Sequence, residues 1–330
     1  ALGSELTNSK TLQKVMKWKL LTNWFVKKAS KKEEIGKMMS EMIASKESQT
    51  KLWSPWFLMK TLLLHYEFYF MRTLTSDLEH IEAIFLDLDG TIYMGDNLIE
   101  GAIDFLNRIE KRGIKRYFLS NNSSKSVNQY LTKLEKMGIP ASKDEVLLST
   151  HDLLSWLKSE NISETYLVGT EGMRMMLEEV GINTDSDDPQ FVVLGYDTEI
   201  TYEKLTKGSI YLHKGVPLVV SHPDMVCPSP DGGLPDTGAY MALFEATTGV
   251  VPTHICGKPN PGMILHKINE LGLEVGACAM VGDRLYTDME MADRAGVHGV
   301  LVLSGEATRD DAEKAPQQPS LIIDSVSSLC

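Results

Sequence analysis

The stretch IFLDLDGTIYMGD, residues 84–96, is the segment around which the rest of the chain is organised. It opens with an apolar run, which is typical of a buried strand in a parallel sheet, and stops at Asp87-Leu88-Asp89-Gly90. Because side chains of an extended chain alternate between two faces, Asp87 and Asp89 are predicted to share one face. Ligands of open α/β sheets bind at the carboxyl ends of the strands. The stretch therefore predicts two carboxylates at the mouth of a crevice, although by itself it fits a capped turn equally well.

Length, charge and cysteine content restrict the class of protein. The 330 residues suffice for two domains and a sizeable core, and the net charge of −12 argues against a nucleic-acid partner. The cysteines show no C-x-x-C spacing, so we interpret them as reduced thiols of a cytoplasmic protein, with neither disulfides nor a zinc site. The four cysteines are Cys227, Cys256, Cys278 and Cys330.

Residues 1–71 differ in composition from the rest of the chain. They hold 12 Lys, no Arg and 6 acidic residues, together with four of the five tryptophans, which places a boundary near Met71. We favour an accessory extension of unknown role over a peripheral membrane or protein contact. A spanning helix over the apolar residues 52–70 is disfavoured, because Pro55, Lys60 and Glu67 interrupt it.

From residue 81 onward, apolar runs alternate with helical patterns, which predicts an α/β fold with a doubly wound parallel sheet. The catalytic core is predicted to comprise residues 72–155 and 253–330. Residues 156–252 show their own strand–helix alternation and lie between the first and last core strands, so they form an inserted α/β domain. The core strands are predicted at residues 83–86, 114–123, 145–149, 277–281, 299–305 and 321–324.

Polar residues follow four of the core segments, and their types suit phosphoryl transfer. One carboxylate can attack phosphorus while a second transfers protons to and from oxygen. Hydroxyl, amide and ammonium groups can hold the phosphoryl oxygens, and a carboxylate pair can hold Mg²⁺. The predicted crevice collects Asp87, Asp89, Ser120, Asn121, Lys258, Asp283 and Asp288.

The segments DLDGT, LSNNS, GKPNPG and GDRLYTD resemble, in that order, the four motifs of the haloacid dehalogenase superfamily. The insertion after the second motif resembles subfamily IIA, the NagD-like and p-nitrophenyl-phosphatase-like enzymes. The resemblance covers about residues 81–303 and does not reach the first 71. It implies a Rossmann-like core and an inserted cap domain of the C2 type, which closes over the core.

The resemblance also implies roles for individual residues. Asp87 would be the nucleophile and Asp89 the general acid/base, and the presence of this second Asp fits hydrolysis of a phosphate ester. Ser120, with the neighbouring amides Asn121 and Asn122, would bind the phosphoryl group, and Lys258 would hold phosphate and nucleophile in place. The Mg²⁺ ligands would be the Asp87 carboxylate, the Asp89 backbone carbonyl and Asp283, with Asp288 supporting the metal through its waters or through Lys258.

The loop at residues 221–240 resembles the cap segment that reaches towards the leaving group. Asp224, Asp236 and His222 are its candidate polar selectors, and Val226 and Cys227 are candidates for shaping the pocket. Related enzymes often have glycine where Asp236 stands. For each of these residues a local role within the loop explains its presence equally well, and for His222 we favour the structural role. The inserted domain is also a candidate homodimer surface.

These features predict a Mg²⁺-dependent phosphatase that hydrolyses a small soluble phosphomonoester through an aspartyl-phosphate. One alternative is a phosphotransferase or mutase on the same scaffold, against which the position of the insertion argues. The other is a non-catalytic binding protein recruited by its N-terminal arm, against which the intact Asp87, Asp89, Lys258 and Asp283 argue. The identity of the substrate does not follow from the sequence.

Overall fold

The computed structural model describes residues 80–227 and 232–329. These residues belong to one structural unit, residues 74–330. The predictions made for residues 1–71 and for Cys330 therefore lie outside the described residues. Within the described ranges, no helix combines the length and the apolar character that crossing a membrane requires.

Strands and helices alternate along most of the described chain. The strands are β1 (Ala83–Asp87), β2 (Tyr93–Met94), β3 (Asn97–Leu98), β4 (Lys115–Ser120), β5 (Val146–Leu148), β6 (Thr165–Val168), β7 (Phe191–Leu194), β8 (Leu218–Val220), β9 (Val226–Cys227), β10 (Leu234–Pro235), β11 (His254–Ile255), β12 (Cys278–Gly282), β13 (His298–Val302) and β14 (Leu321–Ile323). The α-helices are α1 (Ala102–Lys111), α2 (Val127–Lys136), α3 (Ser149–Ser159), α4 (Glu171–Glu179), α5 (Tyr202–His213), α6 (Thr237–Thr248), α7 (Gly262–Leu271), α8 (Glu290–Ala295) and α9 (Arg309–Lys314).

The larger sheet has the strand order β14-β13-β12-β1-β4-β5, and all its neighbouring pairs are parallel. Strand β1 lies in the interior of this sheet, between β12 and β4. A parallel interior strand is covered by helices on both faces, so every residue of β1 is buried. The predicted doubly wound parallel α/β fold is thereby confirmed.

Alternation along β1 distributes its side chains between two apolar layers. Ile84 and Leu86 pack in a layer with Phe105 of α1. Phe85 points to the opposite layer, which contains Ile264 of α7. Each fully buried side chain of this size contributes roughly 1.5–3 kcal/mol, so the two layers hold β1, and with it Asp87, in a fixed position.

The inserted residues form a second parallel sheet, in the order β11-β8-β7-β6. Leu153 and Leu157 of α3 pack into one of the apolar layers of this second sheet, so the buried face of the helix contacts the inserted residues. The predicted boundary at 155/156 therefore falls inside α3, a helix that the sequence pattern did not predict. At the other end, β11 pairs with β8, so the inserted sheet extends past the predicted boundary at 252/253.

Other strands and helices begin or end at residues that differ from the sequence-based predictions. The strand predicted over residues 114–123 ends at Ser120, because the polar residues that follow leave the sheet as a loop. The helix predicted near Thr287 begins as a π-helical turn, Leu285–Met289, and continues as α8. Short antiparallel pairs, β2 with β3 and β9 with β10, were not predicted.

Candidate active site

Three neighbouring strands of the larger sheet end at the predicted site. Asp87 is the last residue of β1, Ser120 is the last residue of β4, and Asp283 directly follows β12. Since parallel strands end at the same edge of a sheet, adjacent strands bring these side chains to one crevice. Lys258 reaches the crevice from the loop between β11 and α7.

Lys258 forms a buried double ion pair at the centre of this crevice. Its Nζ donates to Asp87 Oδ1 and, over 2.7 Å, to Asp288 Oδ1. Burial alone lowers the pKa of a lysine, but the carboxylates of Asp288 and Asp87 outweigh that effect and raise the pKa of Lys258. The ammonium is therefore charged at any physiological pH, and removal of either carboxylate would leave a buried charge short of a partner.

Asp87 is held in an environment that disfavours its ionised form. Burial raises the pKa of Asp87 to about 8, with a lowering contribution from Lys258 and raising contributions from Asp288 and Asp283. Three carboxyl groups thus lie around one ammonium, so with all three ionised the cluster has an excess of negative charge, which the guanidinium of Arg284 offsets only in part. A bound cation would relieve that excess and return Asp87 to the carboxylate form.

The three carboxylates lie close enough together, and leave oxygen atoms available, to bind a metal ion. One oxygen from each of Asp87, Asp283 and Asp288 lies within 4.8 Å of the others. Asp283 Oδ2 accepts a hydrogen bond from Glu306 N at 2.7 Å, whereas its buried Oδ1 has no hydrogen-bond partner among the described residues. Both oxygens of Asp288 are engaged, by Lys258 Nζ and by Arg284 N at 3.1 Å. An oxygen-only donor set of this kind suits a hard divalent cation, so the residues fit the implied metal.

Two glycines allow Asp283 to sit where it does. A Cβ at Gly90, whose φ is +89°, would lie 2.4 Å from Asp283 Oδ2, and a Cβ at Gly305 would lie 2.0 Å from the same oxygen. Both distances are below any ordinary contact, so larger residues at either position would displace the carboxylate. Gly305 was not singled out in the sequence, where it stands only as a glycine after a strand.

The hydroxyl at the end of β4 and the two amide side chains that follow it all form hydrogen bonds within the protein. Ser120 Oγ lies 2.8 Å from Tyr130 Oη and accepts a hydrogen bond from Asn122 N at 3.2 Å. Asn122 Oδ1 accepts from Ser124 N at 2.9 Å and from Ser124 Oγ at 2.6 Å. The Asn121 side chain bonds to the Lys258 backbone and to Asp224.

Asp89 differs from Asp87 in its exposure. Asp87 is 8% exposed, whereas Asp89 is exposed on the solvent-accessible side of the crevice. A carboxyl group that is open to water can exchange protons with solvent directly. The exposure of Asp89 is compatible with a general acid/base role.

The candidate selectors of the inserted domain form a second polar cluster. His222 Nε2 lies 2.9 Å from Asp236 Oδ1, and His222 Nδ1 lies 2.9 Å from Ser221 Oγ. Asp236 also caps α6, since its Oδ1 accepts from Thr237 N at 2.6 Å. His222 is fully buried and both its ring nitrogens have protein partners, which agrees with a structural role. Val226 is 53% exposed and Cys227 is half-buried.

Ser221 links this second cluster to the core. Its Oγ lies 3.0 Å from Ser123 Oγ, and Ser123 Oγ accepts a hydrogen bond from Tyr196 N at 2.9 Å. These contacts are buried, so the link is shielded from competition by water. Neither serine was singled out in the sequence.

Comparison with known proteins identifies the family. Residues 84–183 match a family model described as haloacid dehalogenase-like hydrolase, and residues 255–329 match one described as HAD-hydrolase-like. The acid sugar phosphatase of Staphylococcus epidermidis is 32% identical over 245 residues, which is 74% of this chain and 94% of that protein.

Solved structures agree with the sequence comparison. The 4-nitrophenylphosphatase of Thermotoga maritima is 38% identical, with a TM-score of 0.74 over 77% of this chain and 97% of that one. NagD from Escherichia coli K-12 is 26% identical, with a TM-score of 0.71 over 76% of this chain and 98% of that one. The predicted family resemblance is confirmed. The chain belongs to the haloacid dehalogenase-like hydrolases, and it is a phosphatase of their NagD-like and nitrophenylphosphatase-like group.

Proposed function

We propose that this phosphatase is a Mg²⁺-dependent phosphomonoesterase that acts on a small soluble metabolite through an aspartyl-phosphate intermediate. The observation that carries the proposal is the buried arrangement of Asp87 between Lys258 and the open oxygen of Asp283. A structural ion pair would gain nothing from a third, unpaired carboxylate beside it. A nucleophile that must approach a phosphate dianion needs a cation beside it, and a second carboxylate with an available oxygen is what would hold that cation.

In the first half-reaction Asp87 attacks phosphorus. The Asp87 Oδ–P bond forms as the ester P–O bond breaks, and the carboxyl of Asp89 gives its proton to the departing alkoxide. In the second half-reaction a water oxygen attacks the same phosphorus and gives its proton to the Asp89 carboxylate. The Asp87 Oδ–P bond breaks as the new P–O bond forms, so inorganic phosphate leaves and the Asp87 carboxylate is regenerated.

The remaining site residues stabilise charge in both halves. Lys258 places an ammonium against Asp87 and within reach of a phosphoryl oxygen, and Ser120 adds a hydroxyl at the end of the neighbouring strand. Asp87, Asp283 and the Asp89 backbone carbonyl would hold Mg²⁺, with Asp288 orienting Lys258. When bound, Mg²⁺ would screen the negative charges of the nucleophile and the phosphate from each other.

The inserted domain supplies the surroundings of the leaving group. Asp224 and the hairpin β9–β10 lie on the loop that follows β8, and this loop contacts the core through Asn121. We infer that the leaving group is small and hydroxylated, such as that of a sugar phosphate. The similarity to an acid sugar phosphatase supports this choice. We also propose a cytoplasmic location, on the basis of the reduced cysteines.

The experiment that tests the function is phosphate release from p-nitrophenyl phosphate and from a panel of sugar and other metabolite phosphates. Each ester is incubated with Mg²⁺ or with EDTA, using wild type, Asp87→Asn and the control Asp104→Asn, which changes an exposed carboxylate on α1. We expect Mg²⁺-dependent turnover that Asp104→Asn retains and Asp87→Asn loses. No turnover of any ester by folded protein with Mg²⁺, but phosphoryl transfer to a sugar, would favour the transferase instead.

A further inference from the structure

One amide side chain, that of Asn121, joins three separate parts of the chain. Its Oδ1 accepts a hydrogen bond from Lys258 N at 2.7 Å, and its Nδ2 donates to Lys258 O at 2.9 Å. The same Nδ2 lies 3.3 and 3.2 Å from the two oxygens of Asp224. An amide NH₂ has two protons, so one can serve the Lys258 carbonyl and the other the Asp224 carboxylate.

The contacts with Lys258 fix its backbone on both sides of the Cα atom. The preceding amide, Gly257 N, is held separately by Asp152 Oδ2 at 2.9 Å. A Cβ at Gly257 would lie 2.8 Å from Asn121 Oδ1, so the glycine is needed for this close approach. The base of the lysine side chain is thereby placed by Asn121, while its Nζ lies between Asp87 and Asp288.

The contact with Asp224 connects this arrangement to the inserted domain. Asp224 belongs to the loop between β8 and β9, and its own carbonyl accepts a hydrogen bond from Gly238 N at 2.7 Å, at the start of α6. A movement of the inserted domain away from the core would separate Asp224 from Asn121. The Asn121 amide would then lose one of its three partners, and its two bonds to the Lys258 backbone would hold it less firmly.

We infer that Asn121 and Asp224 are positioning residues, and that Asp224 couples the closed inserted domain to Lys258 through the Asn121 amide. This role differs from the substrate binding expected of both residues from the sequence. The inference rests on the proposed function only for its effect on turnover. The coupling itself is a property of the folded chain.

The coupling is tested first without turnover, by hydrogen exchange at the Lys258 amide. Mass spectrometry with fragmentation separates this amide from that of Gly257, which serves as an internal reference because Asp152 holds it. We expect Asn121→Ala and Asp224→Ala to speed exchange at Lys258 by at least about tenfold. Asn121→Ala removes the acceptor of the Lys258 amide, and Asp224→Ala removes the contact that holds the Asn121 side chain. Asp224→Asn, which keeps an accepting oxygen, restores protection.

A matched control is Asp185→Ala, which removes an exposed carboxylate of the inserted domain and its 2.6 Å ion pair with Lys207. Its exchange at Lys258 should equal that of wild type. Wild-type exchange at Lys258 in both Asn121→Ala and Asp224→Ala would overturn the positioning role. Faster exchange in Asn121→Ala alone would overturn the coupling to the inserted domain.

Turnover separates positioning from substrate binding. Because a misplacement of about 1 Å at a catalytic group can cost about 100-fold, Asp224→Ala should lower kcat by about 10- to 100-fold. The loss should be equal for p-nitrophenyl phosphate and for sugar phosphates, with KM nearly unchanged. Adding Asp224→Ala to Asn121→Ala should cost less than about twofold more, because the two residues act in series.

Losses that differ between leaving groups, or that multiply in the double variant, would show that Asp224 acts on the substrate directly. The two failures remain distinguishable. If wild type with Mg²⁺ hydrolyses no ester, the proposed function fails, whereas exchange at Lys258 still decides whether the coupling exists.

Discussion

The core and the inserted domain each contain a tight polar cluster with three potential metal ligands. The two clusters differ in the hydrogen bonding of their polar atoms. Asp87, Asp283 and Asp288 form one, and His222, Asp224 and Asp236 form the other. In the first, Asp283 Oδ1 is buried without a hydrogen-bond partner among residues 80–227 and 232–329. In the second, both nitrogens of His222 are paired within the protein.

This contrast shows that residue type and proximity do not by themselves make a reactive site. Asp236 caps a helix and satisfies a buried histidine, so its interactions are complete in the folded chain. Asp283 is bonded on one oxygen only and lies beside two more carboxylates. The core cluster combines a carboxylate oxygen that lacks a hydrogen-bond partner with an excess of negative charge. These two properties favour it as the reactive cluster.

The largest expected difference between the clusters is in turnover. Asp283→Asn should lower Mg²⁺-dependent kcat by about 1,000-fold, because the metal site loses a charged ligand. Asp236→Asn keeps an oxygen for His222 and for the α6 cap, and it should change kcat by less than about threefold. Phosphate release at saturating substrate checks both variants. A comparable loss in both would remove the distinction between the clusters.

A second expected difference is the effect of Asp283→Asn on stability without metal. Burial, followed by the charge of Asp288, raises the pKa of Asp283 from 3.8 to about 6, so the folded state binds more protons than the unfolded state between these values. Ionisation of this carboxyl therefore costs stability as pH rises through that window, and the cost is complete above it. The amide introduced by Asp283→Asn carries no charge, so at pH 8 in EDTA we expect the free energy of unfolding to exceed that of wild type by about 2 kcal/mol.

Urea unfolding at pH 8 and at pH 4 measures this effect. The gain should shrink to a small fraction at pH 4, near the lower end of that window, because the Asp283 carboxyl is then protonated in the folded state and partly protonated in the unfolded state. A destabilised Asp283→Asn at pH 8 would contradict the excess of negative charge assigned to the core cluster.

The opposite sign is expected for the cluster in the inserted domain. Asp236→Ala removes the side-chain cap of α6 and leaves buried His222 without its Asp236 partner at Nε2. The free energy of unfolding should fall by about 1–2 kcal/mol, in the presence or absence of Mg²⁺. Differential scanning calorimetry with and without Mg²⁺ gives the comparison, and an unchanged Tm would argue against a structural role for Asp236.

The smallest expected effect is the pH dependence of stabilisation by Mg²⁺. In metal-free protein the pKa of Asp87 is raised to about 8, chiefly by burial, and that of Asp283 to about 6. Binding must displace these protons, so Mg²⁺ affinity falls as pH falls through this window. We expect Mg²⁺ to raise Tm by a few degrees, about 2–4 °C, at pH 8 and hardly at all at pH 5.5.

Asp236→Ala is the control for this measurement. It should show the same Mg²⁺-induced shift as wild type at each pH, because its carboxylate belongs to the other cluster. A shift that depends on Asp236 would place a metal in the inserted domain and contradict the assignment of metal binding to the core cluster.

Sequence reasoning predicted those features that depend on near neighbours along the chain. The apolar run before Asp87 predicts β1, and the polar residues after four of the core segments predict which ends face the crevice. It missed α3, because Ser149 was placed at the end of the strand predicted over residues 145–149, and because the helix packs its apolar face against the inserted domain. It also missed Gly305, because only the folded chain shows that this residue borders Asp283.

The polar contacts of the site join residues that are distant in sequence. Lys258 lies 171 residues from Asp87, and only the family resemblance placed it beside the nucleophile. Its contact with Asn121, 137 residues away, was not predicted. The phosphoryl-binding role of Asn121 stays a prediction, and the bonds of its side chain to the Lys258 backbone were not predicted.

Fold class, family and the set of reactive residue types were thus readable from the chain, because strand periodicity, helix ends and turn chemistry act over a few residues. The assignment of partners to each side chain came only with the three-dimensional arrangement. Hydrogen bonds and burial depend on which strand ends and loops the sheet order brings together, and that order is set by packing over the whole chain. For this reason two clusters of similar composition have different roles, one with open carboxylate oxygen and one with its histidine fully paired.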